Sequence, residues 1–193
     1  MTFKQFFLIP VVIAILAFFL MLVDLAAGSI FAGAKNYFVV WIAFQAWAMY
    51  FMAGCTLKNG VKVMLGYLGG AVASIAIMEL GGVLGTSMPF LGKMAVPIAV
   101  LIIVVPVICS ERVPMFDFVP AWFVGAGVFF GLTTIQGISK SGWSHLDVTV
   151  ACLLSCLVGV IFGIVTVFFR TKYEASLKLN ADAPAPAESG SEE

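Results

Sequence analysis

One acidic residue, Glu79, lies inside a long apolar stretch that is rich in glycine, GGAVASIAIMELGGVLG over residues 69–85. An ionised carboxylate is expensive inside a membrane, and acids found there usually face the bundle interior and mark substrate pathways or proton relays. The small residues beside Glu79 leave room for water or for a neighbouring side chain. Glu79 is therefore either part of a solute or proton pathway or one half of a structural pair.

The polar residues available to pair with Glu79 lie in several other segments of the chain. They are Gln45, Tyr50, Lys93, Thr133, Thr134, Gln136 and Lys140. We expect Glu79 to line a polar cavity beside the second helical segment, near Gln45 or Tyr50. A structural ion pair is the alternative.

The second helical segment, YFVVWIAFQAWAMYFMAGCT, is rich in aromatic residues. Aromatic belts at membrane interfaces account for Tyr37 and Trp41. A pore constriction would use rings such as Phe44 and Phe51, and aromatic faces attract organic cations. Packing against lipid or other helices is the alternative. The candidate substrate pathway comprises Glu79, Gln45, Tyr50, Phe51, Trp41, Thr133 and Thr134.

Other chemistry has little support in the sequence. His145 is the only histidine, and Cys152 and Cys156, which share a helix face, are typical of small buried residues. The chain has no G-x-S-x-G, H-E-x-x-H or Walker pattern and no basic patch. We expect no enzyme activity, no metal, no cofactor and no nucleic-acid partner.

The elements that must position these residues are membrane helices. The chain has 193 residues, of which 62% are hydrophobic and 10% charged, against about a quarter charged in soluble domains. A spanning helix needs about 20 apolar residues, and nothing alternates as a barrel strand would. The predicted fold is an all-α integral membrane protein with six transmembrane helices, at about 6–27, 37–57, 63–85, 93–110, 118–137 and 147–169.

Lys and Arg are unevenly distributed among the connections. If the N-terminus is inside, the inside set is Lys4, Lys58, Lys62, Arg112, Arg170, Lys172 and Lys178, against Lys35, Lys93 and Lys140 outside. The positive-inside rule then places both termini in the cytoplasm. The apolar run in residues 1–27 is longer than a signal-peptide core, so we interpret it as a retained first helix.

The last twenty residues differ in composition from the rest. Residues 174–193 are rich in Ala, Pro, Ser and Glu and lack the large apolar groups needed for a core. We therefore predict a transmembrane domain over 1–173 and a disordered acidic tail over 174–193.

The two halves of the chain resemble each other at an offset of 78 residues. Thr56 aligns with Thr134, and Gly81 and Gly85 align with Gly159 and Gly163. Since three helices per half is an odd number, the halves would enter the membrane from opposite sides, as in the inverted repeats of many transporters. Glycines four residues apart also predict close helix packing: Gly66, Gly70, Gly81, Gly85, Gly127, Gly131, Gly159 and Gly163.

The stretch AFQAWAMYFMAGCTLKNGVKVMLGYLGG resembles the YcdZ-like family of small bacterial inner-membrane proteins, and the similarity extends over most of residues 5–170. The resemblance implies a multi-pass protein of the bacterial inner membrane from an uncharacterised family. It assigns no site residues.

These features together favour a passive channel or facilitator for a small polar solute, such as a neutral amide, a small alcohol or amine, or ammonia. A proton- or ion-coupled transporter that uses Glu79 is the second hypothesis, and a non-transport assembly or sensor protein is the third. The expected partners are the lipid bilayer, the solute and further copies of the chain in a homo-oligomer.

Overall fold

The computed structural model describes residues 2–31, 35–135 and 142–181, and all regular secondary structure within these ranges is helical. Six α-helices follow one another: α1 Phe3–Ile30, α2 Val40–Met52, α3 Leu57–Ser87, α4 Ala95–Cys109, α5 Val119–Thr134 and α6 His145–Ala181. Short 3₁₀ turns, Pro89–Met94 and Ser110–Arg112, flank α4. The all-α prediction is confirmed, and each predicted apolar segment overlaps one helix.

Among the described residues, four helical segments are long and apolar enough to cross a membrane: Phe3–Ile30, Leu57–Ser87, Pro89–Arg112 and His145–Lys178. The other two helices are shorter, because α2 has 13 residues and α5 has 16. At 1.5 Å per residue they extend about 20 and 24 Å, less than the roughly 30 Å hydrocarbon core. The short helices are the second helix of each half of the chain.

Local sequence explains why α2 is short. Residues 35–39 before it have no regular secondary structure, with Val39 in an extended conformation, and after it Gly54 and Cys55 adopt positive φ angles of 100° and 61°. Positive φ ends a helix because L-residues rarely adopt it. Thr56 then caps α3 by accepting a hydrogen bond from the Asn59 backbone N–H at 3.1 Å.

The bundle core is formed by two helix pairs that cross at glycine. A Cβ added at Gly70 of α3 would collide with the α5 backbone at Trp122 and Ala126. A Cβ added at Gly159 of α6 would collide with the backbone carbonyl of Ala43 on α2. Each short helix is thus packed backbone to backbone against a long helix of the other half of the chain.

The helices α3 and α6 lie side by side in opposite directions. Gly60 approaches Val160 near the start of α3, whereas Glu79, in its last third, meets His145 at the start of α6. We call the end of the bundle where α6 begins the His145 end, and the end where α3 begins the Lys62 end.

Helices α1 and α4 are peripheral, and most of each is exposed. Leu20 of α1 is buried in a cluster with Ala43 and Trp47 of α2, and Ala95 and Ala99 are the buried residues of α4. Their exposed surfaces are apolar, which suits contact with lipid.

Helix α6 is longer than the predicted sixth segment and continues to Ala181. It therefore includes the first residues of the predicted tail, EASLKLNA, which are mainly good helix formers. The rest of the predicted tail, residues 182–193, lies outside the described residues.

Candidate functional site

The predicted pathway residues of α2 lie on two different surfaces. Ile42, Ala46 and Tyr50 are buried in the bundle core, so Gln45 and Trp41, on the other side of the helix, are exposed. Phe51 is also partly exposed, at 38%. The structure therefore separates Tyr50 from Gln45 and Trp41, whereas the rings of Tyr50 and Phe51 lie 6.3 Å apart.

Glu79 lies at the His145 end, and its carboxylate is 69% exposed. Its Oε1 is 3.8 Å from Nδ1 of His145, and the imidazole ring lies 6.0 Å from the ring of buried Phe129. Among the described residues, His145 is the one basic side chain within ion-pair distance of Glu79, and no hydrogen bond joins Glu79 to Gln45 or Tyr50. Gln136 and Lys140, two further expected partners, lie outside the described residues.

Thr133 and Thr134 use their hydroxyl groups within α5. The Thr133 hydroxyl donates to the carbonyl of Phe129 at 3.0 Å, and the Thr134 hydroxyl donates to that of Phe130 at 2.7 Å. Such bonds to the preceding turn satisfy a hydroxyl donor inside an apolar helix. The oxygens keep acceptor capacity, and Thr134 is exposed.

The eight glycines singled out for packing have different surroundings. Gly66 and Gly70 face the α5 backbone, and Gly159 and Gly163 face α2, where Gly163 meets the ring of Tyr50. The other four have looser surroundings: Gly81 and Gly85 face Val96 and Ala95, Gly131 has one distant neighbour in Ile135, and Gly127 has no atom within 4 Å of its added Cβ.

A polar cluster centred on Asp147 joins two parts of the chain at the His145 end, the segment before α2 and the start of α6. The Asp147 carboxylate accepts hydrogen bonds from Lys35 Nζ at 2.5 Å and from the Tyr37 hydroxyl at 2.6 Å. It also accepts from the backbone N–H of Ser144 at 2.9 Å and from its hydroxyl at 2.8 Å. The Lys35 ammonium lies 5.9 Å from the Trp143 ring. We call these five residues the Asp147 cluster.

The Asp147 cluster fixes the non-helical segment 35–39 along the first turns of α6. The hydrogen bond with Asp147 and the attraction of its charge raise the pKa of Lys35 above its usual value. Further along the segment, the backbone N–H of Val39 donates to the buried hydroxyl of Ser155 at 2.9 Å. Side chains of α6 thus replace the helical partners that this backbone lacks.

An ion pair of similar construction lies at the Lys62 end. Lys62 of α3 donates to the Asp117 carboxylate at 2.6 Å, and Asp117 lies two residues before the start of α5. This bond to Lys62 holds the pKa of Asp117 below its usual value. At each end, therefore, the segment that leads into a short helix is tied by charge to a long helix. The signs are exchanged, because the base precedes α2 whereas the acid precedes α5.

The bundle core contains a polar atom without a partner. Tyr67 of α3 is fully buried, and its hydroxyl has no hydrogen-bond partner among the described residues. Its neighbours in the same cluster include Phe129 of α5 and Cys152 and Cys156 of α6, which are also fully buried. The indole Nε1 of Trp47 is likewise buried without a partner. Polar groups in such positions are normally hydrogen-bonded, to water where protein offers nothing.

The described residues offer no group of three or more His, Cys, Asp and Glu side chains arranged to hold a metal ion.

The family model for a protein of unknown function, DUF1097, matches residues 10–170. The chain belongs to the DUF1097 family. No curated protein and no solved structure gives a significant match. Membership in this uncharacterised family assigns the chain no chemistry, so function must be inferred from the geometry of this DUF1097 protein itself.

Sequence reasoning did not single out Tyr67 or the Asp147 cluster. Tyr67 lies in a glycine-rich part of α3. Its burial depends on the close approach of α5 at Gly125, where an added Cβ would collide with the Tyr67 backbone. The closeness of Lys35 and Tyr37 to Asp147 depends on the path of the segment before α2. The one sequence signal for the cluster was Ser144 before Asp147, which forms a reciprocal helix cap.

Proposed function

We propose that this DUF1097 protein is a passive channel or facilitator for a small polar solute. The observation that carries the proposal is the buried, unpartnered hydroxyl of Tyr67 in the core of an apolar helix bundle. An unpaired hydroxyl in an apolar environment is costly. Water or a polar solute that passes Tyr67 would form a hydrogen bond with this hydroxyl. Because the bond is transient, the solute can move on, as conduction requires.

The arrangement of the short helices supports a transport role. Short hydrophobic segments at corresponding positions of two halves are a sequence-level indication of a transporter binding site, and α2 and α5 have this relationship. Their crossings with α6 and α3 and the ion pairs at the two ends support our further proposal of a 3+3 inverted repeat. In that arrangement all six helices belong to the membrane domain.

The proposed route begins between Glu79 and His145 and passes Phe129 to reach Tyr67. The His145 ring lies against Phe129, and Phe129 and Tyr67 belong to the same buried cluster. The exposed acid and base would form a polar mouth, and Phe129 the constriction. Gln45, Trp41 and Thr134 lie on exposed helix surfaces, so they belong to this route only if another copy of the chain covers them.

Stopped-flow light scattering on reconstituted vesicles tests the proposal with urea, glycerol and methylammonium as solutes. The wild-type protein should raise the permeability to at least one solute above that of protein-free vesicles. Tyr67→Phe should change that permeability severalfold without loss of stability, because removing an unpaired buried hydroxyl is nearly neutral or stabilising. Tyr173→Phe, which changes a phenol outside the core, is the matched control. Wild-type permeability equal to that of empty vesicles for every solute would favour the non-transport hypothesis.

A proton-coupled transporter is the second candidate, and the Glu79–His145 contact is the observation that favours it. Acidic and histidine side chains within membrane proteins form the proton relays of pumps and transporters. Solute uptake that requires a proton gradient, and that Glu79→Gln uncouples from the gradient, would establish coupling. Solute flux that does not depend on the proton gradient would favour the passive channel.

We further propose that the protein is a homo-oligomer of the bacterial inner membrane, that both termini are cytoplasmic, and that the YcdZ-like proteins are members of the same family. Single cysteines at Asn36 and Asn59, in a variant without its native cysteines, test the topology through a membrane-impermeant thiol reagent. Intact cells should label Asn36→Cys only. Labelling of both positions from the same side would contradict the six-span topology.

The proposal of a homo-oligomer is supported by exposed Gln45, whose side chain can form hydrogen bonds between helices in lipid. A detergent-corrected mass equal to one chain would contradict the homo-oligomer.

A further inference from the structure

A cavity of about 340 Å³ lies between α1 and α6 beyond the four-helix core. Its walls are largely apolar and include Leu8, Val12 and Ile13 of α1 and Phe169 of α6. Leu8 and Phe169 are exposed, so the cavity opens onto the surface that faces lipid. Its size falls at the lower end of the range of small-ligand pockets, about 300–1,000 Å³.

A hydrogen bond closes the cavity at the ends of the two helices. The Tyr173 hydroxyl of α6 donates to the backbone carbonyl of Gln5 at 2.8 Å. Gln5 lies in the first turn of α1, where its side chain and Thr2 form a reciprocal cap. This hydrogen bond fixes the spacing of the two helices beside the cavity, so that the space between them is part of the fold.

The charges at the cavity are mainly positive. Arg170 and Lys172 contribute to its lining, and both are exposed. One acid offsets them, because Glu174 Oε1 accepts a hydrogen bond from Arg170 Nε at 2.8 Å. Lys172 Nζ lies 5.8 Å from the ring of Phe168, so its ammonium stays at the edge of the apolar surface. An anion held here would meet two cations directly above an apolar space.

We propose that this cavity binds an anionic phospholipid, with an acyl chain between α1 and α6 and the phosphate at Arg170 and Lys172. Basic pockets between membrane helices bind anionic headgroups in this manner. The lipid contacts α1, which otherwise packs weakly on the bundle, and so stabilises its position. This binding site is independent of the proposed solute route, which lies in the core around Tyr67.

The test is thermal unfolding of purified, delipidated protein titrated with phosphatidylglycerol, and with phosphatidylcholine of the same chains. A ligand that binds only the folded state raises the melting temperature by an amount that increases with its concentration relative to its Kd. Phosphatidylglycerol should bind at least tenfold more tightly than phosphatidylcholine. The double variant Arg170→Gln/Lys172→Gln should lose most of that preference, roughly fivefold per residue, which is about 1 kcal/mol each.

A matched control separates this cavity from general surface charge. Lys4→Gln/Lys178→Gln removes the same charge from exposed positions at the same end of α1 and α6, outside the cavity, and should keep the preference. Glu174→Gln releases Arg170 and should strengthen phosphatidylglycerol binding, which a variant that merely unfolds cannot do. This second variant keeps the test valid if the double variant is unstable.

Three outcomes would overturn the proposal. Equal affinity for the two lipids would show that the headgroup charge is not recognised. An equal loss in the control variant would assign the preference to general surface charge. If inorganic phosphate alone raises the melting temperature as much as phosphatidylglycerol, the site is one for free phosphate rather than for lipid.

Discussion

The hydroxyl of Tyr37 donates a 2.6 Å hydrogen bond to the carboxylate of Asp147, which lies 110 residues further along the chain. Because Lys35 and Ser144 donate to the same carboxylate, one side chain organises the entry into α2 and the start of α6. We therefore expect Asp147→Asn to lower the melting temperature more than Tyr37→Phe does. Asn offers one acceptor oxygen without charge, whereas Phe removes a single donor. Differential scanning fluorimetry in a mild detergent measures both.

The comparison has an internal control in Lys35. Its ammonium is 44% exposed, and exposed ion pairs contribute little to stability. Lys35→Gln should therefore have the smallest effect of the three variants. A larger effect for Lys35→Gln than for Asp147→Asn would contradict the view that the carboxylate is the centre of this cluster.

Glycine positions provide a second prediction, about helix crossing. An added methyl at Gly159 would collide with the carbonyl oxygen of Ala43, whereas one at Gly127 would meet no atom within 4 Å. Gly159→Ala should destabilise the fold by about 1–3 kcal/mol, the usual effect of overpacking. Gly127→Ala should be neutral or slightly stabilising in the monomer, because alanine favours helix more than glycine does.

Thermal unfolding of these two variants should therefore give opposite or clearly unequal shifts. If both variants are tolerated equally, the backbones of α2 and α6 are not in close contact at Gly159 and Ala43. If Gly127→Ala alone causes loss of an oligomer, with the monomer intact, the open surface of α5 is a contact between copies.

The sequence predicted the helices well and the contacts between them poorly, for a physical reason. Hydropathy identifies an apolar segment, but the side that each segment buries depends on its neighbour. Gln45 is exposed because Ile42, Ala46 and Tyr50 form the buried side of α2. Glu79 meets His145 because of the antiparallel register of α3 and α6, which no local pattern in the sequence specifies.

The ion pair at the Lys62 end gives a prediction about acidification. The pKa of Asp117 is lowered in the folded protein by its hydrogen bond with Lys62. A lowered folded-state pKa means that the pair contributes stability above the unfolded value, about pH 4, and that this contribution disappears as pH falls through the folded pKa. Asp117→Asn should therefore lower the melting temperature at pH 7, and its difference from wild type should shrink below pH 4.

Melting temperatures between pH 3 and pH 8 test this dependence. Asp24→Asn is the control, since it removes the charge of an acid that forms no ion pair among the described residues. A constant difference between wild type and Asp117→Asn across the whole range would show that the asparagine acts through something other than charge.

Glu79 provides the prediction that bears most directly on function. Its carboxylate is 69% exposed and lies 3.8 Å from His145, and exposed pairs of this kind typically contribute no more than about 1 kcal/mol. Glu79→Gln should therefore unfold within a few degrees of the wild type. If Glu79 forms the polar mouth of a solute route, the same variant should change solute flux, or the dependence of flux on pH. Flux is expressed per folded molecule in reconstituted vesicles.

His145→Gln resolves how Glu79 acts. If the two side chains work as one unit, each single variant should change flux by a similar factor, and the double variant should add little to either, as coupled neighbours do. Glu111→Gln is the control and should leave flux unchanged, because Glu111 is an exposed acid just after the last residue of α4. A large loss of stability in Glu79→Gln with unaltered flux would instead make Glu79 a structural residue. Independent, additive effects of Glu79→Gln and His145→Gln would separate the two residues and remove the shared mouth from the proposed route.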